Sequence, residues 1–99
     1  MKEVILEDNV LVGAGAKIYD TDFHPLQAQY RYGTEKNNSY VKTQPVIIKK
    51  GAFIGADSII LKGSVIGENS VVGALSVVTG SIPDNEIWAG NPARFIRKI

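Results

Sequence analysis

The chain has 99 residues, 11 Lys+Arg against 10 Asp+Glu, a net charge of +1, and no cysteine. That length suits one domain, and the near-neutral balance excludes a strong field for nucleic acid or a membrane surface. The missing cysteine excludes disulfides, thiol nucleophiles and cysteine-held metals, and no apolar run is long enough for a signal peptide or a membrane span, which points to a cytoplasmic protein.

The first patterned stretch is 4–20. Leu6, Val12 and Ile18 fall six apart, with Val4, Val10 and Ala16 two positions before them. Residues i−2 and i have the same parity, so on an extended chain both point to one face. The beat then stops, and 21–46 reads as one long loop. It holds Asn37-Asn38 and three of the four tyrosines, Tyr30, Tyr32 and Tyr40. Loops of this length without a pattern of their own are uncommon and usually functional or disordered, and the tyrosines favour function.

At the start of that loop stands the lone histidine, His24, in Tyr19-Asp20-Thr21-Asp22-Phe23-His24-Pro25. One reading is an idle turn residue beside proline. The other is a general base, because imidazole is the one side chain here whose ordinary pKa, about 6.5, suits that task at neutral pH. Asp20 and Asp22 are close enough in sequence to orient it. The junction between a rigid scaffold and a loop is also where function concentrates.

From 48 to 82 the beat returns without a slip: Ile48, Ile54, Ile60, Ile66, Val72 and Val78. Small residues stand two before most of them, namely Ala52, Ser58, Ser64, Ser70 and Ser76, and Gly55, Gly67 and Gly73 follow directly. A period of six is no helix period. It describes a solenoid in which each flat edge presents one aliphatic and one small residue inward and then bends. Three edges close a triangular coil, and coils stack by parallel pairing about 4.8 Å apart. The pattern therefore predicts an all-β parallel β-helix with roughly one coil in 4–20 and about two in 48–82. The serines point inward as core spacers, not nucleophiles.

The positions beside the beat, Phe53, Ile59, Val65, Val71 and Val77, point outward and are apolar. Either strands simply favour such residues or they mark an interface. A prism this thin favours the interface, as a homotrimer of triangular prisms. Residues 83–99 read as a C-terminal basic tail, with Arg94, Arg97 and Lys98 and no acid in 91–99. One histidine and scattered aspartates make a poor ligand set, so no metal is expected. The glycines follow the beat of six and not a phosphate-loop spacing.

The hexapeptide run, the element Asp20-Thr21-Asp22-Phe23-His24-Pro25, the close Ser76-Val77-Val78-Thr79-Gly80-Ser81-Ile82-Pro83 and the ending Ala89-Gly90-Asn91-Pro92-Ala93-Arg94 resemble the hexapeptide-repeat acyltransferases. Within them the similarity is greatest to the galactoside, maltose and polysaccharide O-acetyltransferase branch. The resemblance implies a left-handed helix, a homotrimer with sites between neighbouring prisms, acetyl-CoA along the coil edges and a sugar or glycan acceptor. It implies that His24 deprotonates the acceptor hydroxyl. It also implies that Ala56 and Ala74 bond the pantetheine arm through their backbone, that Thr79 and Gly80 meet the far end of CoA, and that Arg94 and Arg97 face its phosphates. The chain departs from its relatives at Gly80, where a lysine is usual, and at Phe53, where a tryptophan is common. Relatives also carry a substantial segment before the first coil, whereas here the repeat is under way by Val4. Two other functions share the pattern: an N-acetyltransferase on an amino sugar, and a non-catalytic trimeric β-helix scaffold.

Overall fold

The computed structural model describes residues 3–21 and 43–99. Nine short strands form three coils. The first holds β1 (Val4–Leu6), β2 (Leu11–Val12) and β3 (Lys17–Ile18). The second holds β4 (Val46–Ile48), β5 (Phe53–Ile54) and β6 (Ile59–Ile60). The third holds β7 (Val65–Ile66), β8 (Val71–Val72) and β9 (Val77–Val78). Strands three apart in this order pair in parallel, giving the faces β1-β4-β7, β2-β5-β8 and β3-β6-β9. β4 starts at Val46, the last residue of the segment read from sequence as loop.

The register stacks the beat in columns: Leu6 on Ile48 on Ile66, Val12 on Ile54 on Val72, and Ile18 on Ile60 on Val78. Ile48, Ile54, Ile60, Ile66 and Val72 are fully buried, and so are Ala52, Ser58, Ser64, Ser70 and Ser76. The inward serines do more than save space. Ser58 Oγ donates to the Gly73 carbonyl at 2.9 Å, and Ser70 Oγ donates to the Pro83 carbonyl and accepts the Glu86 N–H. Each hydroxyl thus satisfies backbone of the neighbouring coil that the ladder leaves unpaired.

The corners divide their requirements between two positions. The third residue after seven of the nine beat residues takes a left-handed conformation, at Asn9, Gly15, Gly51, Asp57, Gly63, Asn69 and Leu75, and so does Asn85, three after buried Ile82; their φ lies between 58° and 77°. The glycines directly after the beat do not have positive φ; they are small because the next coil lies against them. A Cβ on Gly55 would stand 2.5 Å from the Ala74 nitrogen, and one on Gly13 would stand 2.6 Å from that of Ala56.

The two ends differ. Among the described residues no coil covers the first one, and there Leu6 is 50% and Val12 is 43% exposed although both point inward. At the other end, 83–99 is more than a tail. It contains β10 (Glu86–Gly90), which adds parallel to β8, and β11 (Ala93–Lys98), which returns antiparallel on β10. Trp88 aligns with inward Val72 and packs against the core, with the ring of Phe95 edge-on at 6.4 Å. This charged antiparallel strand ends the β2-β5-β8 face in a form that discourages further pairing.

Candidate functional site

Two positions after each beat residue the chain turns a corner, and the register stacks these residues in three rows. The corner after β2, β5 and β8 carries Ala14, Ala56 and Ala74. The corner after β3, β6 and β9 carries Asp20, Lys62 and Gly80. Successive residues in a row are about 5 Å apart, so Asp20 and Gly80 share one corner at about 10 Å.

At the alanine corner the N–H of Asp57 donates to the Ala14 carbonyl at 3.0 Å and the N–H of Leu75 donates to the Ala56 carbonyl at 2.9 Å. The N–H groups of Ala56 and Ala74 and the carbonyl of Ala74 pair with nothing among the described residues. Both alanines are exposed. The corner is therefore a short ladder of free amide groups, and it suits an extended ligand that carries amides of its own.

Beside the third corner lies a cavity of about 180 Å³. Thr79, Gly80, Ser81, Trp88, Pro92 and Arg94 line it, with Val78, Ile82 and Ala93 as its apolar part. It is smaller than the pockets of about 300–1,000 Å³ that enclose whole drug-sized ligands, so it fits one ring or one phosphate of a longer molecule. Arg94 is the one charged residue among those lining it. A Cβ on Gly80 would meet nothing within 4 Å. The cavity thus brings together Thr79, Gly80 and Arg94. Arg97 is not among its lining residues, and Ala56 and Ala74 lie one edge of the prism away. Trp88, Pro92 and Ser81 were not singled out from sequence, because only the pairing of β10 with β8 and the turn after β10 bring the first two to this corner.

Asp20 is 2% exposed, and its Oδ1 has no hydrogen-bond partner among the described residues. The Asp20 carbonyl accepts the Gln44 N–H at 2.9 Å, and Thr21 bridges Thr43 in antiparallel fashion. The segment that follows therefore leaves and returns at one corner. Asp22 and His24 lie in it, outside the described residues. Among the described residues no cluster of three or more His, Asp or Glu could hold a metal ion, and no helix is long and apolar enough to cross a membrane.

The profile of the bacterial transferase hexapeptide family (six repeats) matches residues 45–80. Over that stretch the chain carries the repeat of the hexapeptide transferases. It is 38% identical over 96 residues to the galactoside O-acetyltransferase of Escherichia coli K12, a match covering 97% of this chain and 44% of that protein. Over 49 residues, half of this chain and 26% of the relative, it is 53% identical to dTDP-3-amino-3,6-dideoxy-alpha-D-galactopyranose 3-N-acetyltransferase of Aneurinibacillus thermoaerophilus. The fold is similar to that of a galactoside acetyltransferase in complex with coenzyme A, with a TM-score of 0.84 at 37% identity, covering 96% of this chain and 44% of that one. These neighbours are left-handed parallel β-helices, the hand adopted here. The chain spans less than half the length of the curated relatives it matches, from 26% to 46%.

Proposed function

We propose that this hexapeptide-repeat protein is an acetyl-CoA-dependent O-acetyltransferase acting on a sugar or glycan hydroxyl. The observation that carries this reading is the cavity in which Thr79, Gly80 and Arg94 meet, three of the residues for which the sequence resemblance implied contact with CoA. A guanidinium at a hydroxyl-lined cavity suits a phosphate group. The unpaired amides of Ala56 and Ala74 suit the pantetheine arm. The galactoside acetyltransferase of the same fold, solved with coenzyme A, supports the same ligand.

In this mechanism His24 takes the proton of the acceptor hydroxyl as the oxygen attacks the thioester carbonyl. The tetrahedral intermediate collapses with loss of the CoA thiolate, and no covalent enzyme intermediate forms. Backbone N–H groups near the loop junction hold the developing oxyanion. Asp20 or Asp22 fixes the imidazole tautomer. The support for Asp20 is its buried, unpartnered Oδ1, since a buried acceptor of this kind calls for a donor. The protein works as a homotrimer in the cytoplasm, where acyl-CoA is supplied. Its subunits meet through outward apolar rows such as Leu11, Phe53, Val71 and Ile87 on one face.

A second reading is favoured by a specific observation. The 53% identity to a 3-N-acetyltransferase of an amino sugar falls on half of the chain. An amine acceptor would use the same donor site and the same base. One experiment tests donor and acceptor together. Acetyl-CoA should raise the melting temperature of the purified protein, and free CoA thiol should then accumulate with hydroxyl sugars from a panel that also holds amino sugars. Turnover confined to the amino sugars would select the second reading. No thermal shift and no thiol release would overturn both and leave the scaffold.

A further inference from the structure

Leu75 is an exception to the rule that governs the corners. Every other described residue three places after a beat residue with left-handed φ is Asn, Asp or Gly: Asn9, Gly15, Gly51, Asp57, Gly63 and Asn69. These residue types tolerate that region, whereas for an ordinary side chain the clash of Cβ with the following carbonyl disfavours it. Leu75 adopts φ 62° and leaves 73% of its surface exposed, the most exposed of the large apolar residues described. It is thus unfavourable twice, in its backbone and in its contact with water. Outliers of this kind collect where a ligand or partner needs them.

What stands beside Leu75 indicates the partner. Its N–H is held by the Ala56 carbonyl at 2.9 Å, so its backbone is fixed. Its neighbour Ala74 is exposed, with both N–H and carbonyl free among the described residues. A free amide ladder next to one fixed apolar side chain matches a ligand whose amides alternate with short hydrocarbon stretches. The acyl-carrying arm of CoA has this chemistry, with two amides, a gem-dimethyl group and ethylene units. We propose that Leu75 is a specificity-determining contact for that arm: the Ala74 amide bonds its amides, and the leucine covers its hydrocarbon. The proposal rests on the CoA reading given above. It goes beyond that reading by assigning the arm's apolar contact to a residue that every other corner of this kind would fill with Asn, Asp or Gly.

The test is Leu75→Asn, which suits the left-handed region and keeps the corner. Calorimetry should show acetyl-CoA binding weakened about tenfold, the equivalent of losing one partly buried leucine contact. Binding of adenosine 3′,5′-bisphosphate, which lacks the arm, should be unchanged. The melting temperature of the free protein should hold or rise, because the substitution removes an unfavourable conformation. A general structural role would lower it instead. Equal acetyl-CoA affinity in parent and variant would overturn the role of Leu75 while leaving the CoA reading intact. A parent that binds neither acetyl-CoA nor the bisphosphate would overturn both. A fall in sedimentation coefficient of Leu75→Asn with unchanged affinity would make Leu75 a contact between subunits and overturn the proposal. Leu75→Gly should reproduce the Leu75→Asn result; a Leu75→Gly affinity equal to that of the parent would count against it.

Discussion

Arg94 and Arg97 lie on the same outward face of β11 although three positions separate them, a spacing that puts side chains on opposite faces of a regular strand. The register explains it. Ala89 pairs with Arg94 and Trp88 with Phe95, but Ile87 pairs with Arg97, so Ile96 is an extra residue in a β-bulge. Ile87 aligns with outward Val71, which fixes the face. If both guanidinium groups meet CoA phosphates, replacing the pair by alanine should raise KM for acetyl-CoA at least tenfold and change kcat little. Contacts remote from the thioester hold ground and transition states alike. Steady-state kinetics over acetyl-CoA concentration will check this, and an unchanged KM would contradict it.

Gly55 and Gly80 should respond in opposite ways to alanine. Gly55→Ala would drive a methyl group into the backbone of Ala74 at 2.5 Å, so a loss of several kcal/mol, or no folded protein, is expected. Gly80→Ala meets nothing within 4 Å and should leave the melting temperature within error. Thermal denaturation of the two variants separates the cases.

The buried serines should also rank by their bonds. Ser70→Ala strands both the Pro83 carbonyl and the Glu86 N–H, and about 1–3 kcal/mol of destabilisation is expected. Ser64 makes one long bond, to the Val78 carbonyl at 3.4 Å, and its alanine variant should lose less. Urea unfolding of the pair checks the order, and a larger loss at Ser64 would refute it.

A homotrimer should show itself by sedimentation at micromolar concentration. Val71→Lys places a charge between outward Phe53 and Ile87 and should dissociate the assembly if this face is the buried one. A stable monomer in the parent protein would remove the trimer from the proposal.

His24→Ala should keep the assembly and the affinity for acetyl-CoA while losing on the order of 10²–10⁴ in kcat. In the parent, kcat/KM should fall as pH drops through the ordinary imidazole value of about 6.5, because only the neutral ring accepts a proton. Ionised Asp20 or Asp22 beside the ring would favour the imidazolium and move that falling limb to higher pH. Equal rates in parent and variant across the pH range would rule out His24 as the base.

The coil was legible because its cause is periodic. Ile48, Ile54, Ile60, Ile66, Val72 and Val78 obey one spacing, and the structure buries all of them. What escaped depends on stacking, which a period does not encode. The same spacing placed Leu6 and Val12 inward without revealing that they stay half exposed among the described residues. The hydroxyls of Ser58 and Ser70 looked like spacers because their acceptors sit one coil away. β10 and β11 carry no hexad, and their pairing across Asn91-Pro92 turns a basic ending into one wall of a cavity. Of the candidate site, Thr79, Gly80 and Arg94 came together, whereas Asp22 and His24 lie outside the described residues.

The bridge between Thr21 and Thr43 has a consequence for how such a chain can diversify. Because both ends of the excursion are tied at one corner, the coils on either side keep their register whatever lies between. Doubling the excursion would add only about 0.6 kcal/mol of closure entropy. The prism can therefore accept a cassette of different length and sequence at this point while the stacked coils on either side stay the same.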